Sequence, residues 1–211
     1  MVNIPQNTSV VHLEKSQFDA GIEALTRAFD QDPFFRYFCA DREAKRQNCL
    51  RLVAQLTLRY CEPYLHIYTT LDSLKGIAAW LPPGEYPVNY WRLLQLGFYA
   101  LPFQVQFSRL GQFVSLFNTL ENLHKQDVPE PHWYLWILGV APDYQNQGIG
   151  SALLQPVLKQ ADIERVPCYL ETSTESGVRF YQRQGFEVIR TGRIAANVPP
   201  YWTLKRSPHW H

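Results

Sequence analysis

The chain has 211 residues, of which 46% are hydrophobic and 18% charged, and its formal net charge is +1. That length and balance describe one globular domain (residues 1–211) with enough chain to bury a full core, not a disordered or fibrous protein. No run of Lys or Arg exceeds two residues, which excludes the basic stripe that nucleic-acid binding needs, and no single-sign tail is present for docking to another protein.

In chain order, Val10-Val11-His12-Leu13 predicts a first strand. Ser16-Gln17-Phe18-Asp19 resembles a helix N-terminal cap, after which Ile22, Leu25, Ala28 and Phe29 share one helical face. Asp32-Pro33 ends that helix, because the residue before a proline is driven out of the α region. Asp32 is read as a turn or cap residue. Asp41 is expected to cap a second, longer helix carrying Cys49, Leu52, Val53, Leu56 and Tyr60 at helical spacing. Strands follow at His66 to Thr70 and Gly76 to Leu81, joined by a turn at Leu71-Asp72-Ser73. Residues 90–126 predict two or more helices broken near Pro102, with Trp91, Leu94, Phe98, Phe103, Phe107, Leu110, Phe113, Leu116, Phe117 and Leu120 as their apolar residues. Within them, Leu93 to Phe107 is interrupted by Gln95, Gly97, Pro102, Gln104 and Gln106 and cannot span a bilayer, so no membrane partner is expected.

Trp133 to Val140 is a β-favouring run that stops at Ala141-Pro142-Asp143. A helical pattern begins near Gly148. Cys168 to Thr172 reads as a short strand, and Ser176 to Gln184 as a short helix closed by Gly185. Phe186 to Ile194 and Trp202 to Lys205 read as a last antiparallel pair, with Pro199-Pro200 between them. The four cysteines, Cys39, Cys49, Cys61 and Cys168, fit no zinc spacing, and the six histidines show none either, so no metal is expected. No basic segment precedes an apolar run at the N-terminus, so a signal peptide is not expected, and a cytoplasmic protein with reduced thiols is.

The strand, the loop Gln145-Asn146-Gln147-Gly148-Ile149-Gly150 and the helix opening at Ser151 together make an anion site. The first N–H groups of a helix lack intrahelical partners, the helix dipole is positive there, and glycines let a phosphate reach the bare backbone. A nucleotide P-loop would require Lys-Ser or Lys-Thr after the glycines, and a dinucleotide fingerprint a third glycine at Leu153; neither is present. Gln145, Gly148 and Gly150 do match the Gln/Arg-x-x-Gly-x-Gly/Ala loop that cradles the pyrophosphate of coenzyme A. About thirty residues on, Phe180-Tyr181-Gln182-Arg183-Gln184-Gly185-Phe186 has the F-Y-x-x-x-G-F pattern.

The chain thus resembles the GNAT-type N-acetyltransferases, and in motif text their puromycin N-acetyltransferase-like members. Besides those two motifs, the matching text is Leu138 to Asp143, Pro156, Val166-Pro167 and Leu170-Glu171-Thr172-Ser173, with a weaker match at Ala28-Phe29, Asp32-Pro33 and Ala78-Ala79-Trp80. The resemblance implies an α/β (α+β) fold: a mixed, mostly antiparallel sheet with helices on both faces, whose cofactor strand and Cys168 strand splay apart around the pantetheine arm. It implies a coenzyme A-binding core at about 133–206. Since the family has only a short connection before the cofactor strand, residues 85–128 are read as a helical insert that either covers the acceptor or forms a homodimer surface.

The implied reaction is acetyl transfer from acetyl-CoA to an amine. It needs a donor to the thioester carbonyl, a base for the amine and an acid for the thiolate. By resemblance the donor N–H groups lie among Leu138, Gly139 and Val140, and the end of that strand pairs with the pantetheine amides. Gln145, Asn146, Gln147, Gly148, Ile149, Gly150 and Ser151 would hold the pyrophosphate, with Thr174 and Phe180 as further cofactor contacts. Thr174 stands where many members carry an asparagine. Tyr181 is the candidate acid and Glu171 the candidate base or amine-binding carboxylate, its alternative being a solvent-facing strand residue. Phe34, Phe35, Tyr37, Trp80 and the insert aromatics are expected to wall the acceptor. The acceptor is read as a small-molecule primary amine. A protein N-terminus or lysine is the second acceptor class, and a non-catalytic acyl-CoA-binding module a rival that the presence of both Glu171 and Tyr181 speaks against.

Overall fold

The computed structural model describes residues 8–39, 42–71 and 73–209. Its strands are β1 (Val10–His12), β2 (Ile67–Thr70), β3 (Gly76–Leu81), β4 (Trp133–Val140), β5 (Cys168–Thr172), β6 (Glu187–Gly192) and β7 (Tyr201–Arg206). Its helices are α1 (Phe18–Phe29), α2 (Pro33–Phe38), α3 (Glu43–Cys61), α4 (Tyr90–Gln95), α5 (Leu110–Asp127), α6 (Ile149–Glu164) and α7 (Glu175–Arg183). Among the described residues the strands form one sheet in the order β1-β2-β3-β4-β5-β7-β6. Every neighbouring pair is antiparallel except β4 and β5.

β3 shows why both faces are covered. Its six residues are all buried, and strand alternation sends them to opposite sides. Ile77, Ala79 and Leu81 join the core under α1 and α3, while Ala78 and Trp80 join the core under α6. The α1 packing is close: a Cβ on Gly139 of β4 would meet Leu25 Cδ2 at 2.9 Å and Phe29 Cε2 at 3.0 Å. A bulge interrupts the β3–β4 ladder, since Ala79 pairs with Ile137 but Trp80 with Leu135, leaving Trp136 as the extra residue.

β4 and β5 pair only at Trp133–Cys168 and Tyr134–Tyr169. Beyond Tyr134 the β4 edge has no ladder partner on the β5 side, so the sheet opens there. α5 is pinned on one side of this opening: the fully buried Asp127 carboxylate accepts from Thr203 Oγ1 (2.7 Å), Tyr169 Oη (3.3 Å) and Arg190 Nε (2.5 Å).

Some local expectations change. Ser16 does not cap α1; its hydroxyl turns to Glu14 (3.2 Å), and Glu14 with Gln17 forms a capping box one turn earlier. Asp41 and Asp72 lie outside the described residues. The reduced-thiol expectation fails for two cysteines, because Cys39 at the end of α2 is disulfide-bonded to Cys49 in α3. The chain reversal between the two helices brings them together, which spacing alone does not reveal. Cys61 and Cys168 are free and buried, and burial pushes the Cys168 thiol up to about 12.

Candidate active site

The loop after β4 turns through Asn146 (φ 59°) and Gly148 (φ 77°), both left-handed, before α6 starts. A side chain at Gly148 would sit in a strained conformation. The first bond of α6 runs from Ala152 N to Gly148 O, so the N–H groups of Ile149, Gly150 and Ser151 lie ahead of it and are free of intrahelical bonds. Gly150 faces Phe180 so closely that a Cβ would lie 3.2 Å from its ring. Gln145 folds back to donate to Val140 O (3.0 Å). The residues present therefore make a narrow cradle of backbone donors, which fits a pyrophosphate.

A cavity of about 1040 Å³ starts at this cradle. Its lining includes Leu138, Val140, Gln145, Asn146, Gly148, Ile149, Gly150, Ser151, Thr174, Phe180, Tyr181 and Glu171. Two of the residues expected to contact the cofactor do not line it. Gly139 turns toward α1, and the Gln147 side chain donates to Asp143 O within its own loop (3.1 Å). Thr174 caps α7 by accepting from Gly177 N (3.1 Å). The cavity continues through the opening between β4 and β5 to the other face, where Phe34, Phe38, Leu93, Phe98, Phe113 and Leu116 surround it.

Tyr181 sits in α7 where that helix meets the core, 9% exposed. Among the described residues its hydroxyl has no hydrogen-bond partner. Burial raises its pKa far above the usual phenol range, so it holds its proton and can act as a donor. Glu171 points into the cavity, not to solvent; its side chain is 15% exposed. Tyr134 Oη donates to Glu171 Oε2 (2.9 Å), and burial together with the Glu171 charge raises the Tyr134 pKa. His124 Nδ1 lies 3.4 Å from Glu171 Oε1. Asp32 caps α2, with Oδ1 accepting from Phe34 N (2.9 Å) and Oδ2 facing Ser173 Oγ (3.5 Å). Burial raises its pKa against the opposing bonds from Phe34, Phe35 and Ser173.

The wall differs from the expected one. Trp80 is fully buried under α6, away from the cavity. Tyr37 stands behind the wall, donating to Gln112 Oε1 (2.7 Å) and accepting from Asn197 Nδ2 (2.8 Å). Trp91, Phe103 and Phe107 point outward, Phe107 being 92% exposed. Sequence reasoning missed the connection between β6 and β7, where Val198 is buried against Phe38 and Leu116 and where Pro200 and Tyr201 line the cavity. It also missed His124. A signal existed, since His124 continues the Leu116, Leu120 stripe at four-residue spacing and so falls on the buried face of α5.

A model for the Acetyltransferase (GNAT) domain matches residues 112–188, from α5 to the start of β6. An N-acetyltransferase of Schizosaccharomyces pombe is 26% identical over 182 residues, 82% of this chain and 72% of that one. Through residues 112–188 the chain carries a GNAT-type N-acetyltransferase domain. It is an enzyme of that kind, and dependence on acetyl-CoA is general to the family. Among solved structures, a Corynebacterium glutamicum acetyltransferase described with histone acetyltransferase HPA2 superposes with a TM-score of 0.67 at 20% identity, covering 98% of this chain and 99% of that one. Mosquito arylalkylamine N-acetyltransferase like 5b gives 0.61 at 13% identity, covering 95% and 100%. At these identities the GNAT acetyltransferase shares its fold with both.

Proposed function

We propose that this enzyme acetylates the primary amine of a small molecule with an apolar or aromatic body. The observation that carries the reading is the cavity itself: an apolar chamber walled by α2, α5 and the β6–β7 connection, with the Glu171 carboxylate directed into it. Such a chamber selects by shape and suits one amine on an apolar body. An open groove for a peptide would not need that wall. A mosquito enzyme named for arylalkylamines shares the fold, in keeping with this choice.

In this reading the chain is one domain. Residues 85–128 form an insert over the acceptor, and 133–206 hold coenzyme A. The N–H groups of the first turn of α6 take the pyrophosphate, and the unpaired edge of β4 beyond Tyr134 pairs with the pantetheine amides. Acetyl-CoA, when bound, supplies the acetyl thioester. Backbone N–H groups at the end of β4 polarise its carbonyl, Glu171 draws a proton from the amine, and Tyr181 donates one to the leaving sulfur. No helix among the described residues is long and apolar enough to cross a membrane.

The test is a screen of amines and peptides that follows release of free coenzyme A. Amine-dependent turnover is expected with apolar primary amines. Turnover confined to peptide N-termini or lysines would replace this reading with protein acetylation.

A further inference from the structure

Behind Glu171 runs a chain of ring nitrogens that the reaction described so far does not use. His124 Nδ1 faces Glu171 Oε1 at 3.4 Å, His124 Nε2 faces His132 Nε2 at 2.7 Å, and His132 Nδ1 faces the Glu130 carbonyl oxygen at 2.7 Å. The histidines are 1% and 5% exposed. His124 is clamped between the rings of Tyr86 (centroids 3.5 Å apart, planes 15° apart) and Tyr169 (4.1 Å, 30°). A 180° flip of the ring would keep both stacks but turn carbon atoms toward Glu171 and His132, losing both nitrogen contacts.

Counting protons decides the tautomers. A carbonyl oxygen only accepts, so His132 Nδ1 must carry hydrogen, which leaves a neutral His132 with a bare Nε2. His124 must then donate from its own Nε2, and its Nδ1 is bare toward an ionised Glu171. Two neutral imidazoles thus bring two hydrogens to three contacts. The opposite assignment would press two lone pairs together at the 2.7 Å contact to Glu130, and not at the 3.4 Å contact to Glu171. The gap therefore falls between Glu171 and His124, where one further proton completes the chain.

We propose that Glu171, His124 and His132 form one proton-accepting unit, in which the proton shed by the incoming ammonium is taken by the Glu171 carboxylate and shared with His124 Nδ1. This rests on the reading of Glu171 as the base. One N–H bond of the ammonium breaks, its electron pair stays on nitrogen as the nucleophile, and an O–H or N–H bond forms in the gap. The unit passes from a charge of −1 to zero, which burial favours. His124 and His132 act through Glu171 and are positioning residues.

The surroundings suit this. Tyr134 donates to the second oxygen of Glu171. Tyr86 and Tyr169, the flanking phenols, are held protonated by burial first and then by the Glu171 charge. On α5, Glu121 is paired with Lys125 and Asp127 with Arg190, while Glu130 is paired with Lys205 of β7. Burial lowers the His132 pKa to about 4, which keeps the far end of the chain neutral.

The test joins histidine nitrogen NMR of the free protein, from pH 5 to 9, with pH profiles of kcat. In the wild type His124 is expected to show a bare Nδ1 while His132 carries its Nδ1 hydrogen, and Glu171→Gln, whose amide can donate to that nitrogen, should move the His124 Nδ1 signal. His132→Phe, which frees the tautomer of His124, should lower kcat about tenfold and move the acidic limb of its pH profile, with KM for acetyl-CoA unchanged. A His124 that carries Nδ1 hydrogen throughout, or an Nδ1 signal indifferent to Glu171→Gln, overturns the proposal. So does a His132→Phe variant with the wild-type kcat and profile. If His132→Phe does not fold, the spectra of the wild type and Glu171→Gln still decide. Should no small amine be turned over, the proposed acceptor class fails, while the NMR result stands separately.

Discussion

The cradle at α6 and the apolar chamber beyond the β4–β5 opening, which we propose hold cofactor and acceptor, are built by opposite means. The cradle at α6 uses consecutive residues and mostly backbone: left-handed Asn146 and Gly148, then the unpaired N–H groups that open the helix. The chamber wall is assembled from α2, α5 and residues 194–201, which meet through side chains such as Phe38, Leu116 and Val198. A site made of backbone tolerates change only where side chains point away. A site made of side chains should instead trade one specificity for another without losing the fold.

The strongest way to break that contrast is at Gly148. Gly148→Asp adds a side chain at φ 77° and a negative charge where a phosphate would lie. Like charges brought together cost several kcal/mol, so acetyl-CoA affinity should fall by about 100-fold or more. Calorimetry on a variant shown to be folded by its melting curve checks this. Unchanged affinity would remove the cradle from the site.

Tyr181→Phe removes only a hydroxyl that has no partner among the described residues. The fold and acetyl-CoA binding should persist, and kcat should fall about 10²–10⁴-fold if that hydroxyl protonates the leaving sulfur. Full turnover in single-turnover and steady-state assays would make Tyr181 a packing residue.

The same contrast explains how much the sequence could show. β4, the loop, α6, β5 and α7 were legible because each is signalled locally, by a β-favouring run, by glycines in the loop or by the Gly185 that closes α7. Strand parity alone left the direction of Glu171 open, and it took Tyr134 and His124 to show that it faces inward. Trp80 was misplaced because alternation along β3 does not say which face meets the cavity. The Cys39–Cys49 bond and the Val198 contact depend on chain reversals between elements, for which no local pattern exists. The Trp136 bulge was equally hidden, since an extra residue in a strand leaves its composition unchanged.

A third experiment sharpens the wall by pairing two phenylalanines from residues 85–128. Phe113 lines the cavity, whereas Phe107 is 92% exposed outside it. Phe113→Ala should raise KM for the acceptor about tenfold, within the range that one apolar contact supplies, and leave KM for acetyl-CoA constant. Phe107→Ala should change neither constant. If Phe107→Ala instead alters the sedimentation of the protein, the outward aromatics belong to an assembly surface.

The smallest effect expected is at Asp32, and it asks whether a carboxylate in the acceptor wall serves the fold or the amine. Its Oδ1 caps α2 through Phe34 N and Phe35 N, and its pKa is raised by burial despite those bonds. For an acid with a raised folded pKa, folding favours the protonated form. Stability is then greatest below the unfolded pKa, declines as pH rises from the unfolded to the folded value, and stays at the lower level above it. Asp32→Asn keeps a capping oxygen and carries no charge, so at pH 7 the variant should match or exceed the wild type by less than about 1 kcal/mol. Melting curves taken from acid to neutral pH should show any gain disappear on the acid side, where the wild-type carboxyl is protonated too. Acceptor kinetics should not move if the cap is the whole role. A raised acceptor KM with unchanged kcat would give Asp32 a place in holding the ammonium, and the acceptor wall would then contain one functional group that is also part of the helix framework.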